Sequence, residues 1–424
     1  MADHIFTGFG FGPIQSGLFA KEAFESGNFS RIVVAEIDQE LVDAVRANSG
    51  SYFVNVATSD GVEVLKVDGV ELLNPNIDSD REALIEILHE STEVATSLPS
   101  VNFYDIGGDK SIASLLAEGL GDSSARATII YAAENNNHAA EILSDAVSRK
   151  MDPQISERVQ FLNTVIGKMS QVVTDRSMIE ELGLKPIAPG IERAFLVEEF
   201  NRILVSRTGL EGFRPGIEVF VEKDDLLPFE EAKLYGHNAI HALLAFIGAL
   251  KGYRNMTELE GDQAVMRVGR DAFIEESGGA LIHKYANLGD ELFKEVGYKD
   301  YAEDLLRRMT NPYLADSVAR ASRDVVRKLG PDDRIFGTMR LALEYGIEPK
   351  NMAIGALAGI ALLLAQAEQY ELPNELRQMA WRDLGQNEVE VILNWLWIQK
   401  PCADAHELAG IVCQATGGLS ELLG

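Results

Sequence analysis

The first third of the chain alternates short apolar runs with stretches whose apolar residues recur at helical spacing. HIFTGFG, RIVVAEID, SYFVNVA, VNFYDIG and ATIIYAAEN read as strands, and helices are predicted near residues 13–26 and 39–48. Strand and helix taken in turn predict a mostly parallel, doubly wound sheet of the Rossmann type. NRILVSR and IEVFVEK follow as two further strands, and from about Glu192 the pattern changes to long helical periodicity. LYGHNAIHALLAFIGALKGY and NMAIGALAGIALLLAQAEQY are apolar on most faces, which predicts buried helices. The expected architecture is therefore an α/β domain over residues 1–191 and a mainly helical domain over residues 192–424. KPIAPGIE, with its two prolines and one glycine, is the expected hinge.

Composition narrows the partners. Against 38 basic side chains stand 66 acidic ones, a net charge of −28 that repels nucleic-acid backbones and anionic lipid headgroups at long range. Neither nucleic acid nor membrane is an expected partner; a small molecule is. Cys402 and Cys413 are too few for a disulfide framework or a thiolate metal cluster, which suits a reducing compartment, so a cytoplasmic location is expected. MADHIFTGFGFG lacks the basic flank and apolar core of a signal peptide, and no run has the length of a membrane span. The oligomeric state is not legible.

Two features carry chemistry. Gly8, Gly10, Gly12 and Gly17 cluster where the first strand passes into the first helix. Bare backbone there lets a phosphate sit on the helix N-terminus, where unpaired N–H groups and the helix dipole favour negative charge. Gly10-x-Gly12-x-x-Gln15 departs from G-x-G-x-x-G at its third position, whose glycine serves helix–strand packing. Gly10, Gly12, Ile14 and Gln15 are the candidate cofactor contacts. Glu36, 24 residues after Gly12, closes the second strand, where a carboxylate accepts from the adenine ribose hydroxyls and repels the extra phosphate of NADP. Alone, each feature is a tight turn or an ordinary strand-end acid; together they make residues 1–191 an NAD-binding domain.

The second feature lies in EEAKLYGHNAIHALLAF. On an ideal helix Lys233, Asn238 and His241 fall near about 0°, 140° and 80°, with His237 near about 40°, so they share one polar arc. Such an arc faces either solvent or a site, and the apolar run from Ala242 to Ala249 favours burial. Further on, DSVARASRDVVRKLG places Arg320, Arg323 and Arg327 within about 60° of one another on a helix, with Lys328 beside them. Asp316 and Asp324, one turn before Arg320 and Lys328, could pair with them; a stripe of one sign in so acidic a chain also suits an anionic ligand.

FGFGPIQSG, AEIDQELVDAV, AENNNHA, KLYGHNAIH, EESGGALI, NPYLADSVARASRDVVRKL and LEYGIEPKN resemble, in order and spacing, the mannitol-1-phosphate 5-dehydrogenases. These belong to the polyol-specific long-chain dehydrogenases, which share a K-x-x-x-x-N-x-x-H motif and need no metal. The resemblance implies that Lys233 is the general base, that Asn238 and Asn135 hold the developing alkoxide, and that His241 orients substrate and lysine. It gives His138 and His237 no role and leaves them as polar surface or supporting residues. It implies a phosphate held by Arg323, Arg327 and Lys328, with Arg320 structural. The expected reaction is NAD-dependent interconversion of a sugar alcohol phosphate and a ketose phosphate, mannitol 1-phosphate and fructose 6-phosphate being the closest guess. Where the family has Asp-Arg-Ile-Val-Pro, this chain has Gly167, Lys168, Met169 and Ser170, which leaves a free polyol or a sugar acid such as mannonate as the alternative substrate. A regulator that binds dinucleotide without catalysis is the third reading, opposed by the presence of Lys233, Asn238 and His241 together. From about Glu371 the resemblance fades, and the C-terminal stretch is expected to be helical packing.

Overall fold

The computed structural model describes residues 4–121, 126–150, 157–200 and 202–424. Asn201, at the head of NRILVSR, and the first three residues lie outside them. The chain forms two compact units that divide between Leu227 and Pro228 rather than at residue 191. The reason is that strands later than 191 complete the sheets of the first unit.

Twelve strands are described: β1 (His4–Phe9), β2 (Phe29–Ala35), β3 (Tyr52–Ala57), β4 (Val62–Val67), β5 (Val70–Leu73), β6 (Glu93–Thr96), β7 (Thr128–Ala132), β8 (Val159–Val165), β9 (Ser170–Val173), β10 (Ala194–Glu198), β11 (Leu204–Ser206) and β12 (Val221–Lys223). The larger sheet runs β12-β11-β8-β7-β6-β1-β2-β5. Its six strands from β5 to β8 are parallel, while β11 is antiparallel to β8 and parallel to β12. From β1 the chain winds outward through β2 to β5, then returns to β6 and winds the other way. The order therefore reverses between β1 and β6, and in open sheets of this kind ligands bind beyond the carboxyl ends at that reversal.

Side chains alternate across β1: Phe6 joins a core with Leu18, Phe19, Val34, Val54 and Phe195, whereas Phe9 joins Leu84, Leu88, Leu115 and Leu143 on the opposite face. Two expected strands are corrected. SYFVNVA is not in the parallel sheet; β3 belongs to a second sheet, β4-β3-β10-β9, that packs in the Phe6 core. VNFYDIG is no strand: Ser100 caps a short 3₁₀ turn at Val101–Phe103. The strand in question is β6, disguised because Glu93 stands among Ser91, Thr92 and Thr96, with only Val94 and Ala95 apolar. That carboxylate is fully buried and accepts from the Tyr131 hydroxyl and the Gly216 N–H.

The second unit is helical. The apolar helix Ala239–Leu250 packs on the equally apolar Lys350–Ala365. Close approach depends on Gly355 and Gly359: a Cβ at either would lie within 3 Å of Leu243 or Phe246. Burying those two side chains stabilises the pair by roughly 1.5–3 kcal/mol each. Glu276, buried on a neighbouring helix, accepts from the Asn351 and Met352 N–H groups and so caps the Lys350–Ala365 helix, which begins without a side-chain cap of its own.

Candidate active site

In the first unit the glycine turn follows β1 at the point of sheet reversal. Gly10 has φ +81°, and a Cβ there would meet the Ser97 carbonyl, just after β6, at 3.0 Å. At Gly12 a Cβ would meet nothing within 4 Å, so the turn presents open backbone to a ligand. The missing third glycine is replaced from the strand side. A Cβ on Gly8 would overlap the Gln15 amide, and Gly17 lies against Val197 and Val54. The helix thus approaches the sheets at Gly8 and Gly17, and the Gln15 side chain fills the first of these contacts. Its amide is fully buried without a hydrogen-bond partner among the described residues. Glu36 follows β2, and its two oxygens accept from the N–H groups of Phe11 and Asp38, at 2.7 and 2.8 Å. A carboxylate has about four acceptor sites, so two remain for the hydroxyls of a ribose. Glycine turn, helix start and strand-end acid fit a dinucleotide.

Asn135 also belongs to this unit, exposed just beyond β7 beside Asn136, Asn137 and His138. Glu134, by contrast, is buried and accepts from Thr96, the Leu98 N–H and the Tyr104 hydroxyl, which fixes where the asparagine turn begins. Lys168 does not offer its charge to a substrate as an arginine in its place would. It is buried and donates to the carbonyls of Glu198 and Phe200.

In the second unit Lys233 and Asn238 lie on one π-helical turn, Ala232–Asn238, and His241 lies on the α-helix that continues it. The sequence pattern predicts a plain α-helix here, on which Lys233 and Asn238 diverge by about 140°. In a π turn each N–H reaches back five residues, so residues five apart stand one turn above the other. The π turn thereby returns Asn238 to the lysine's side. A second π turn, Ala272–Gly278, packs on the first, with Phe273 and Tyr298 filling the space that Gly236 leaves open.

Burial, together with the positive charge of Arg334, pushes the Lys233 pKa down to about 8, against a smaller upward pull from buried Glu230. His237 is not a surface residue. It is buried, and desolvation together with Arg308, His241, Lys233 and Arg334 holds its pKa well below the usual value, so the ring is neutral. His241 Nε2 lies 2.9 Å from Asp316 Oδ2, and the other oxygen of Asp316 accepts from Arg320 Nε at 2.9 Å. Although burial pushes the Asp316 carboxyl up, His241 and Arg320 bring it below the ordinary range, so it is ionised and holds the imidazole through Nε2. Spacing alone pointed to Asp316 as a partner of Arg320, but nothing in it tied Asp316 to His241.

The basic segment is not one helical stripe. Val318–Ser322 is helical, Arg323 is extended, Asp324 turns left-handed at φ +59°, and Val325–Lys328 forms one further turn. Aspartate tolerates that backbone because its short polar side chain interacts locally. The side chains of Arg323 and Arg327 are 68% and 52% exposed and lie near Asp324. Lys328 is buried, donates to the Ala321 carbonyl, and is brought to about 8 by desolvation and by Arg334, Arg327 and Arg323. The residue that the sequence did not signal is Arg334, whose charge acts on Lys233, His237 and Lys328. Among the described residues, no cluster of three or more His, Cys, Asp or Glu side chains is arranged to hold a metal ion.

Residues 225–398 match the family model of the mannitol dehydrogenase C-terminal domain. Over 358 residues the chain is 27% identical to a mannitol-1-phosphate 5-dehydrogenase of Buchnera aphidicola subsp. Acyrthosiphon pisum (strain Tuc7), covering 82% of this chain and 84% of that protein. Among solved structures, a D-sorbitol dehydrogenase in substrate-free form superposes with a TM-score of 0.77 at 16% identity, covering 99% of this chain and 94% of the other. Pseudomonas fluorescens mannitol 2-dehydrogenase, in ternary complex with NAD and D-mannitol, superposes with a TM-score of 0.69 at 17% identity, covering 100% and 94%. The structural likeness extends the fold over both units, and the sequence match agrees with the lysine motif. With its K-x-x-x-x-N-x-x-H turn inside the matched region, the second unit is similar to the mannitol dehydrogenase C-terminal domain, and the chain to a mannitol-1-phosphate 5-dehydrogenase.

Proposed function

We propose that this protein oxidises a sugar alcohol phosphate to a ketose phosphate with NAD, and reverses the reaction, with mannitol 1-phosphate and fructose 6-phosphate as the pair. Its similarity to the mannitol dehydrogenase C-terminal domain and to a mannitol-1-phosphate 5-dehydrogenase supports an oxidoreductase acting on a CH–OH group. The observation that carries the reading is Lys233, a lysine shifted to about 8 on the turn that also carries Asn238. At pH 7.5 about a quarter of such a lysine is neutral, against roughly one in a thousand at the unperturbed value. Neutral Lys233 takes the hydroxyl proton, and the Asn238 amide donates to the alkoxide as it forms. His241, held by Asp316, leaves its other ring nitrogen for a substrate hydroxyl. The resemblance gives Asn135 a share in holding the alkoxide. When bound on Gly10, Gly12, Ile14, Gln15 and Glu36, NAD supplies the hydride acceptor.

The phosphate rests on the basic segment Arg323, Arg327 and Lys328 and on the mannitol-1-phosphate 5-dehydrogenase relatives. A second reading, a free polyol or a sugar acid, is favoured by Lys168, which is tied to backbone where the resemblance leads to the expectation of an Asp-Arg pair. The test follows NADH absorbance with mannitol 1-phosphate, mannitol and mannonate side by side, each with NAD and NADP. The phosphorylated substrate with NAD should give the highest kcat/KM, and Glu36→Ala should weaken NAD more than NADP. Higher efficiency on mannitol or mannonate selects the second reading, and equal use of both cofactors by the unmodified protein removes Glu36 from its role.

A further inference from the structure

Arg334 is the one buried arginine among the described residues, 8% exposed. Its Nε donates to Asp333 Oδ1 at 2.7 Å, and its two terminal amino groups donate to nothing among the described residues. Two other arginines of this unit use more of their forks. Arg340 donates to Asp404, to the Pro331 carbonyl and to Asp332, while Arg320 grips Asp316 through both Nε and a terminal nitrogen. These nitrogens are not fully buried, so they remain open to solvent and to a ligand that replaces it.

The loop that carries Arg334 is built into the site. The Thr338 hydroxyl lies between the carbonyls of Arg334 and Tyr235, at 2.5 and 3.1 Å. A Cβ on Gly337 would come within 2.7 Å of the Tyr235 ring, so the loop rests directly on the turn that holds Lys233. From the other side the C-terminal stretch clamps it. Lys400 pairs with Asp332, Asp404 with Arg340, and the Trp397 indole donates to the Leu329 carbonyl at 2.8 Å while its ring stands edge-on to Phe336. Lys328, also buried, begins the same loop.

We propose that the terminal amino groups of Arg334 bind an oxyanion group of the substrate, backed by Lys328, and that this residue selects charged over uncharged polyols. A guanidinium fork matches two oxygens of a phosphate or carboxylate at once. Arg323 and Arg327, exposed beside Asp324, then form the outer approach. This assignment rests on the reading of Lys233 as the base of a polyol dehydrogenase.

The experiment compares Arg334→Met, Arg334→Lys and the unmodified protein on mannitol 1-phosphate, mannonate and mannitol, and measures competitive inhibition by inorganic phosphate. Arg334→Met should lose on the order of a hundredfold more in kcat/KM on the phosphorylated substrate than on mannitol, whose oxidation should shift only toward higher pH as Lys233 loses the cation beside it. Its inhibition constant for phosphate should rise at least about tenfold. Loss confined to mannonate assigns the same site to a carboxylate. Should Arg334→Met fail to fold, Arg334→Lys carries the comparison, since it keeps the charge without the fork and should lose on charged substrates only. Equal losses on all three substrates, or phosphate inhibition unchanged by either variant, overturns the proposal. If Lys233→Ala remained active the reading of the base would fail, and phosphate inhibition would still decide the role of Arg334.

Discussion

At the scale of single residues, the site separates into what periodicity can show and what it cannot. Lys233, Asn238 and His241 were legible because three polar residues interrupt an apolar helix at fixed spacing. The tie of Asp316 to His241 and the place of Arg334 were not, because each lies far along the chain and a lone charge carries no period. Their roles arise only when the fold desolvates them. Lys233 leads to a pH prediction whose sign follows from its proton: below about 8 it is an ammonium without a lone pair. Polyol oxidation should therefore rise about tenfold per pH unit up to that value and level off above it, while ketose reduction, which needs the ammonium, should show the opposite slope. Lys233→Ala should lower kcat by about 10²–10⁴-fold and abolish the limb near pH 8. A fall smaller than about fivefold, or an unchanged limb, would remove Lys233 from the role of base.

At the scale of elements, existence and type were read well where the apolar pattern is long, as in the helices Ala239–Leu250 and Lys350–Ala365. The misreadings share a cause, a local pattern overridden by tertiary contacts. Glu93 hid β6 because its carboxylate is satisfied by Tyr131 and Gly216 from elsewhere in the chain. The basic segment looked like one helix until Asp324 turned left-handed. The π turn left no trace in an apolar count, since its seven residues fit an α-helix equally well. It nevertheless makes the interval between Lys233 and Asn238 rigid in length. Deleting Leu234, a half-buried residue of that turn, should let the segment relax to an ordinary α-helix and carry Asn238 off the lysine's side. Activity should fall at least as far as in Asn238→Ala, while circular dichroism retains the helical signal. Near-normal turnover by the deletion variant would show that the π turn does not position the pair.

At the scale of the whole molecule, an acidic chain of net charge −28 keeps a group of cations, Lys233, Arg308, Lys328 and Arg334, around one turn of its second unit. Net charge was legible in composition, but its local reversal was not, because buried and exposed arginines look alike in a sequence. The C-terminal stretch read as packing; in the fold its residues from Trp397 to Asp404 hold the loop from Leu329 to Phe336. Trp397 has a further consequence, an optical one. It is fully buried, and its indole grips the loop at both ends, whereas Trp381 and Trp395 are only partly covered. With those two replaced by phenylalanine, the remaining emission should be blue-shifted, and titration with inorganic phosphate should alter its intensity with the same midpoint as inhibition. In the Arg334→Met background the signal should stay flat. The chain thus carries its own fluorophore at the base of the loop that meets the substrate, and occupancy of that loop can be followed without turnover.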